Sequence, residues 1–550
     1  MASKTTNTFI TPHWAKEAVW YQLMIERFRD GSDENNPSPM RPWTSEWYTP
    51  SPWEGADGQS FYEYYVFARH YGGDIQGVLQ RLEYLKELGV NALYLNPVFQ
   101  SESHHKYNTT DFRHIDEHFG AGPGDYVNTS AQEELLDPST WKWSKSDRIF
   151  LDFLKEAKTM GFRIIIDGVF NHVGTNHPAF IDVKTHGPHS KYADWFDVIS
   201  WKPFEYKGWA GFSELPAFRK SPEHGIASAT ARQHIFDITR RWMDPDGDGD
   251  VSKGIDGWRL DVPNEVPMPF WIEWCAYVRS INPDAYISGE IWDQAEEWLD
   301  GKTFDAVMNY RFAEPVIAWI GHDKERITPT ELDRRLEELR NAYPVEATYV
   351  LQNLLDSHDT DRLVSKLHNP DRLYDSQNRE QDDITYDATK PPPEAYQKAR
   401  LAAFLQITYI GAPMIYYGDE VGMWGSDDPN NRKPMLWKDL EPYEDPHHNH
   451  GMDEHLEFYR EAIALRKNHD AFHNGNFKTV LLDDSRNLWG FIRSNAREEI
   501  LVVLNAGATP ADVEFTDLGE GWTCIFGTGN DAPPSIRIEA VEGRAWVRRA

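Results

Sequence analysis

The stretch Gly161-Phe-Arg163-Ile-Ile-Ile-Asp167-Gly-Val-Phe-Asn171-His172 sets a β-branched apolar run between a glycine and an acid. Consecutive isoleucines with no polar alternation suit a strand covered on both faces, as in a parallel sheet flanked by helices. Residues Asp147 to Met160, just before it, carry the spacing of a helix. The same pair occurs upstream: Ile75, Val78, Leu79, Leu82, Leu85 and Leu88 recur at helical period before Gly89, and Asn91-Ala-Leu-Tyr-Leu-Asn-Pro97 follows as a strand. Outward from there, a first strand is expected over Val19 to Leu23, and further helix or strand signals fall at Gln233–Met243, Gly257–Asp261, Phe270–Ile281, Ala285–Glu290, Phe304–Asn309, Thr348–Leu355, Ala399–Thr408 and Ala412–Gly418. That alternation predicts the α/β class and a (β/α)₈ TIM barrel.

Two departures from the rhythm mark further domains. Residues 173–230 are rich in Gly, Pro, His and Trp without clear periodicity, too long for a mere connection, and predict a small inserted lobe after the third strand. After the helix Leu456–Lys467 the pattern turns to strands at Phe477–Leu482, Asn487–Arg493, Ile500–Asn505, Trp522–Phe526 and Ser535–Ile538, predicting a C-terminal antiparallel β-sandwich. The expected division is a barrel over 1–172 and 231–470, a lobe over 173–230 and a β-domain over 471–550.

Composition narrows the chemistry. The 56 Lys and Arg against 88 Asp and Glu leave a formal charge of -32 in 550 residues, a surface that repels phosphate backbones and anionic membranes. No nucleic acid and no membrane partner is expected. The opening MASKTTNTFITPHW has no apolar signal-like core, and no uncharged apolar run approaches the ~20 residues that span a bilayer, so a cytoplasmic protein is expected. Cys275 and Cys524 are the only cysteines, which gives no disulfide framework and no thiolate metal site. The 22 Trp and 25 Tyr suit stacking against the apolar faces of sugar rings.

Four segments place ionisable groups where an apolar run stops: Asp167-Gly-Val-Phe-Asn171-His172, Gly257-Trp-Arg259-Leu-Asp261, Gly289-Glu290 and Asp356-Ser-His358-Asp359. In a (β/α)₈ barrel the carboxyl ends of different strands share one mouth, where active sites lie. Arg259 and Asp261 are two apart on a strand and point the same way, so the cation keeps that carboxylate ionised and able to attack. Glycoside cleavage with retention needs such a nucleophile and a protonated acid, a part that Glu290 would play if neighbouring carboxylates raised its pKa. Gly289 would let a sugar approach, and Asp359 beside His358 would hold hydroxyls and offset an oxocarbenium-like charge.

Jointly, the four segments resemble the ordered regions of the α-amylase family of glycoside hydrolases, family 13, which end in Asp-x-x-x-Asn-His, Gly-x-Arg-x-Asp, Glu and His-Asp. The wording of His104-His105-Lys-Tyr107-Asn108, Gly257-Trp-Arg-Leu-Asp-Val-Pro-Asn-Glu265, Gly289-Glu-Ile-Trp292 and Leu354-Leu-Asp-Ser-His-Asp359 is similar to the cyclomaltodextrinase, neopullulanase and maltogenic amylase group. The resemblance implies Asp261 as nucleophile, Glu290 as acid/base and Asp359 as third carboxylate, acting on an α-glucan without a catalytic cofactor. It further implies that Tyr107 stacks under the sugar at the cleavage point and that His172 and His358 bond its hydroxyls. His105, Asp167 and Arg259 join that substrate-binding set, Asp428 with Arg432 holds the next sugar, and Glu265 with Trp292 lines the leaving-group side.

The resemblance has two departures. No N-terminal β-sandwich of the dimerising kind precedes the strand near Val19, so dimerisation by that route is not expected, and the oligomeric state stays open. The group's fifth region survives only as Ser213-Glu-Leu-Pro-Ala-Phe218. A dominant transglycosylase or isomerase would use the same intermediate, whereas a non-catalytic glycan-binding relative should lack the three acids kept here. Asp30, Ser32, Asn35 and Asn36, followed by Gly72 and Asp74, resemble a structural calcium site of the group, with oxygen-only ligands. The acidic run Asp244-Pro-Asp-Gly-Asp-Gly-Asp250 and the cluster His447-His-Asn-His450 are read instead as a solvated turn and a polar loop.

Overall fold

A computed structural model describes residues 9–60, 64–376, 378–449, 452–529 and 531–549. Eight short strands form one sheet: β1 (Trp20–Leu23), β2 (Ala92–Leu95), β3 (Arg163–Gly168), β4 (Gly257–Leu260), β5 (Tyr286–Gly289), β6 (Ala306–Val307), β7 (Gln352–Asn353) and β8 (Ala412–Tyr416). Their order is β6-β5-β4-β3-β2-β1-β8-β7. Met308, the residue after β6, makes a parallel bridge to Gln352 in β7, which nearly closes the ring. This is the expected (β/α)₈ barrel. By compactness the chain divides into one unit of Met1–Pro12, Gln22–Lys86 and Asn91–Val307, and a second of His13–Tyr21, Glu87–Val90 and Met308–Ala550.

In the first unit, β3 pairs in parallel with β2 and β4, and β4 with β5. The apolar Ile164, Ile165 and Ile166 are fully buried, as a strand covered on both faces requires. The helical period over 75–88 is realised as two helices, α1 (Ile75–Gln80) and α2 (Leu82–Leu88), broken at Arg81. Helix α3 (Lys145–Thr159) begins with a capping box, in which Ser144 Oγ accepts from Asp147 N–H at 3.0 Å and Asp147 accepts from Ser144 N–H at 2.9 Å. The lobe after β3 is more regular than its sequence suggests. It holds a helix over Pro178–His186 and two strand pairs, Val198–Trp201 with Phe204–Tyr206 and Lys220–Ser221 with Gly225–Ile226. Aromatic contacts among Phe180, Phe196, Phe204, Tyr206 and Phe218 supply its core.

In the second unit the C-terminal strands are β9 (Asn476–Asp483), β10 (Leu488–Ser494), β11 (Glu498–Asn505), β12 (Ala511–Glu514), β13 (Thr523–Phe526), β14 (Ser535–Ile538) and β15 (Glu542–Arg549). A five-stranded antiparallel sheet, β9-β10-β11-β15-β13, packs on the pair β12-β14 through Leu501, Val503, Val513, Ile536, Ile538 and Trp546. Strands β12 and β15 are absent from the sequence reading.

The acidic turn before β4 carries its own cation: Lys253 Nζ lies 2.7 Å from Asp246 and 2.9 Å from Asp248. His450 lies outside the described residues. No helix among the described residues is long and apolar enough to cross a membrane.

Asp147 does more than cap α3. Its carboxylate also accepts from Ile115 N–H at 2.8 Å and from His114 Nδ1 at 2.8 Å, while His114 Nε2 meets Glu133 at 2.9 Å. Burial disfavours the His114 cation, but these two carboxylates overcome it and hold the pKa up to about 9. A histidine with a raised folded pKa stabilises fully below its unfolded value, about 6.5, and loses that contribution as pH rises through about 9. Urea unfolding of the wild type is therefore expected to weaken between those pH values, and His114→Gln to flatten that dependence. An unchanged slope in the variant removes His114 from the account.

Candidate active site

The predicted catalytic and sugar-binding residues fall into two assemblies, one in each unit. The first rests on strand register. Arg259 in β4 stands level with Asp167 in β3 and Ser288 in β5, and Leu260 is level with Gly168 and Gly289. Asp261 and Glu290 each follow that aligned row, held by Asp261 N–H to Gly168 O at 3.2 Å and Glu290 N–H to Leu260 O at 3.0 Å. Two carboxylates thus leave adjacent strands at one level.

Arg259 joins them. Its Nη1 lies 2.9 and 2.8 Å from the two oxygens of Asp167 and 3.3 Å from Asp261, and its Nη2 lies 3.0 Å from Glu290. The guanidinium is fully buried; desolvation opposes its charge, but Asp167 and Glu290, then Tyr94 and Tyr107, outweigh it and raise its pKa further. A planar fork with fixed donors suits such bridging better than an ammonium. Asp167 is enclosed, taking hydrogen bonds from Tyr94 Oη at 2.8 Å and Tyr107 Oη at 2.9 Å besides the guanidinium. Expected as a substrate contact, it is placed instead to position Arg259 and Tyr107.

Glu290 has surroundings other than those expected. Instead of carboxylates, its contacts are donors: Arg259, Val262 N–H at 3.0 Å to Oε2 and Trp292 Nε1 at 3.2 Å to Oε1. Val262 presents that amide from a left-handed conformation, φ 36° and ψ 51°. For a β-branched residue this stores on the order of 1–3 kcal/mol, which the surrounding contacts must offset. Gly289 also differs from expectation. A Cβ there would sit 2.6 Å from the Phe304 ring, so the glycine makes room for a core aromatic.

Tyr107 is set from below by Asn96 Nδ2 at 3.0 Å, and its ring stacks on His105 at 5.9 Å. His172 Nε2 donates to Tyr107 O at 3.2 Å while its Nδ1 accepts from Asn171 at 3.2 Å, and the ring stacks on Trp209 at 5.6 Å. Burial, with Lys220 nearby, pushes the His172 pKa down to about 3, so it stays neutral. Lys220 donates to Asn171 O at 3.0 Å, and burial lowers it to about 7 against the pull of Glu265 and Asp197. Glu265 is exposed at the end of the short turn after Asp261. Tyr94, Val262, Trp209 and Lys220 were missed by sequence reasoning. Only Tyr94 carried a signal, a lone hydroxyl in the otherwise apolar Ala92–Leu95.

The second assembly gathers His358, Asp359, Asp428 and Arg432. Arg432 Nε donates to His358 O at 2.7 Å, and its Nη2 lies 3.2 Å from Asp359 and 3.6 Å from Asp428. His358 Nε2 is 3.2 Å from the other Asp359 oxygen. Arg362 ties the two loops, donating to Asn431 O at 2.9 Å and Tyr417 O at 2.7 Å. Asp356 is buried and accepts from Leu363 N–H at 2.7 Å, a structural duty.

The remaining predicted group, Asp30, Ser32, Asn35, Asn36, Gly72 and Asp74, also comes together. Asp30 accepts from Asn36 at 3.1 Å and from Ser32 N–H at 3.2 Å, and Asp74 accepts from Asn35 at 3.0 Å. Burial raises both carboxyls, Asp74 to about 6. The side-chain oxygens of Asn35 and Asn36 are buried without a hydrogen-bond partner. Gly72, at φ +79°, leaves no room for a Cβ, which would fall 2.3 Å from the Asn36 oxygen. Two acids with spare amide oxygens fit a hard cation such as calcium. Among the described residues, no cluster of three or more His, Cys, Asp or Glu stands ready for a metal.

Comparison with known proteins agrees with this geometry. The alpha-amylase family, described as Alpha amylase, catalytic domain, matches residues 22–127 and 146–475. Neopullulanase 2 of Thermoactinomyces vulgaris is 37% identical over 505 residues, 91% of this chain and 71% of the relative. The intracellular maltogenic amylase of Bacillus subtilis strain 168 is 32% identical over 516 residues, covering 93% and 72%. Among solved structures, a cyclic α-maltosyl-(1→6)-maltose hydrolase from Arthrobacter globiformis superposes with a TM-score of 0.74 at 27% identity, over 98% of this chain and all, 100%, of that one.

Removing the shared cation tests the first assembly. Arg259→Met leaves three inward-facing carboxylates without their counter-charge, and stability is expected to fall by about 3–5 kcal/mol in urea unfolding. A midpoint equal to that of the wild type contradicts the bridging geometry.

Proposed function

The chain belongs to the α-amylase family of glycoside hydrolases, and from that membership we propose that it cleaves α-1,4-glucosidic bonds with retention in maltodextrins, cyclodextrins or starch-like glucans. The observation that carries the proposal is the single guanidinium holding Asp261 and Glu290 at the ends of adjacent strands. In the proposed first step a carboxylate oxygen of Asp261 attacks the anomeric carbon. The glycosidic C–O bond breaks, and Glu290 gives its proton to the departing oxygen. In the second, Glu290 takes a proton from water, whose oxygen attacks the same carbon and releases Asp261. Arg259 keeps the nucleophile ionised, and Asp359 offsets the positive charge that develops at the sugar.

Tyr107 offers a ring face for stacking, with His105 behind it. His172 and His358 hydrogen-bond the hydroxyls of the sugar at the cleavage point, Asp428 with Arg432 holds the next sugar, and Trp292 with Glu265 serves the leaving-group side. The division into barrel (1–172 and 231–470), lobe (173–230) and β-domain (471–550) belongs to the same proposal. An intracellular setting is supported by the unpaired Cys275 and Cys524 and by the name of the Bacillus subtilis relative.

We infer that Asp30, Ser32, Asn35, Asn36, Gly72 and Asp74 hold a calcium ion, which would pin two loops and take no part in bond cleavage. Chelation with EDTA is expected to lower the Tm, with recovery on adding Ca²⁺. Asn36→Ala should remove the difference between the two conditions, and a Tm indifferent to chelation in the wild type overturns the assignment.

The catalytic roles are tested by parallel incubation with β-cyclodextrin, pullulan, soluble starch and maltotriose. Asp261→Asn and Glu290→Gln are each expected to cut turnover by about 10³-fold or more while retaining measurable maltodextrin binding. Near-normal rates in either variant refute its assigned role.

A further inference from the structure

The segment between β1 and α1 builds a cleft of about 770 Å³ that contains none of the acids discussed above. That size lies in the range that holds a small organic ligand or short oligosaccharide. Its aromatic surface comes from Trp53, Tyr64, Tyr65 and Tyr126, and Trp53 and Tyr64 are 39% and 45% exposed. Large rings left this open in one concave place mark a binding surface rather than leftover core.

The polar groups of the walls are largely committed. Arg41 and Arg69 converge on Glu54, at 2.9 Å and 2.7 Å, and Arg41 also donates to Thr49 O and Ser51 Oγ. Glu117 accepts from the N–H groups of Gly124 and Tyr126 at 2.8 and 3.0 Å. Tyr65 Oη donates to Asp57 and Tyr126 Oη to Asp111, which fixes both rings. Burial, with Lys106 and Arg27 nearby, pushes the pKa of His70 down to about 3, so it adds no charge. With two cations against Glu54, Glu102 and Glu117, the lining carries about one net charge in a chain of formal charge -32. Apart from Asn36, which belongs to the proposed calcium group, such a wall selects neither a phosphate nor a cation. It suits a neutral ligand with flat apolar faces and hydroxyl edges.

The cleft also shares a wall with the first assembly. His70 lies edge-on to His104 at 6.3 Å, His104 to His105 at 5.2 Å, and His105 stacks on Tyr107 at 5.9 Å. Ser101, on the cleft side, bonds Asn108 at 2.7 Å in the same loop as Tyr107.

We propose that this cleft is an accessory binding place for a segment of neutral α-glucan, stacked on Trp53 and Tyr64 and fringed by Gln100, Glu102 and Asn176. The proposal rests on the α-glucan reading above, and its test separates the two. Affinity electrophoresis through gels containing soluble starch compares the wild type with Trp53→Ala/Tyr64→Ala and Trp53→Phe/Tyr64→Phe, with maltotriose hydrolysis measured on each. The alanine pair is expected to lose starch affinity by tenfold or more and to keep maltotriose kcat/KM within twofold, while the phenylalanine pair keeps most of the affinity. Starch retention unchanged in the alanine pair overturns the proposal. So does a parallel loss of maltotriose kcat/KM in a variant with wild-type Tm, which would make the cleft part of the bond-cleaving site. A wild type that neither hydrolyses nor binds any α-glucan refutes the functional reading instead.

Discussion

The buried guanidinium of Arg259 is the constraint around which the first assembly is arranged. Withdrawing a cation from water at a barrel strand end costs heavily unless polar partners meet it, and here three carboxyl groups do, those of Asp167, Asp261 and Glu290. The dependence runs both ways. Each carboxylate is buried or nearly so and needs the cation, and the cation's planar donors fix how far apart the carboxylates stand. The carboxyl arrangement on which the proposed cleavage depends is thus tied to the burial of this one cation.

Around that centre, neighbouring groups fix the remaining freedom. Tyr94 and Tyr107 occupy Asp167 from one side, so it cannot turn away from Arg259. Val262 accepts an unfavourable backbone conformation and directs its amide at Glu290. Trp292 holds the other oxygen of that carboxylate. Strain at one residue is maintained by a row of register-paired strands on either side, as expected where backbone shape is tied to function.

Much of this was legible from residue order alone. Apolar runs ending in charged groups placed the barrel strands to within a few residues, because a strand covered on both faces has little choice of composition. The acids were legible for the same reason, as interruptions of those runs. What escaped were contacts between segments distant in sequence. Nothing in Gly289 announces that Phe304 will lie against it, or that the neighbours of Glu290 will be donors. Helix α1 stops at Arg81 although the apolar period continues through Leu88. Strand β15 was hidden because Glu542, Arg544 and Arg548 interrupt its apolar pattern. Arg544 is buried all the same, paired with Asp531 at 2.8 Å.

The distribution of charge explains how so acidic a protein can serve a neutral ligand. Buried arginines such as Arg113, Arg259 and Arg362 face buried carboxyl groups such as Asp111, Asp167 and Asp419, so charge in the interior is largely matched and the acidic excess falls on the surface. That field neither draws in nor repels an uncharged sugar, and it is screened within about 10 Å at moderate salt. Recognition must then come from hydroxyl hydrogen bonds and from ring faces. The molecule offers those faces twice in one unit: at Tyr107, braced by His105, and in the cleft of Trp53 and Tyr64, where the charges of the wall are spent largely on one another.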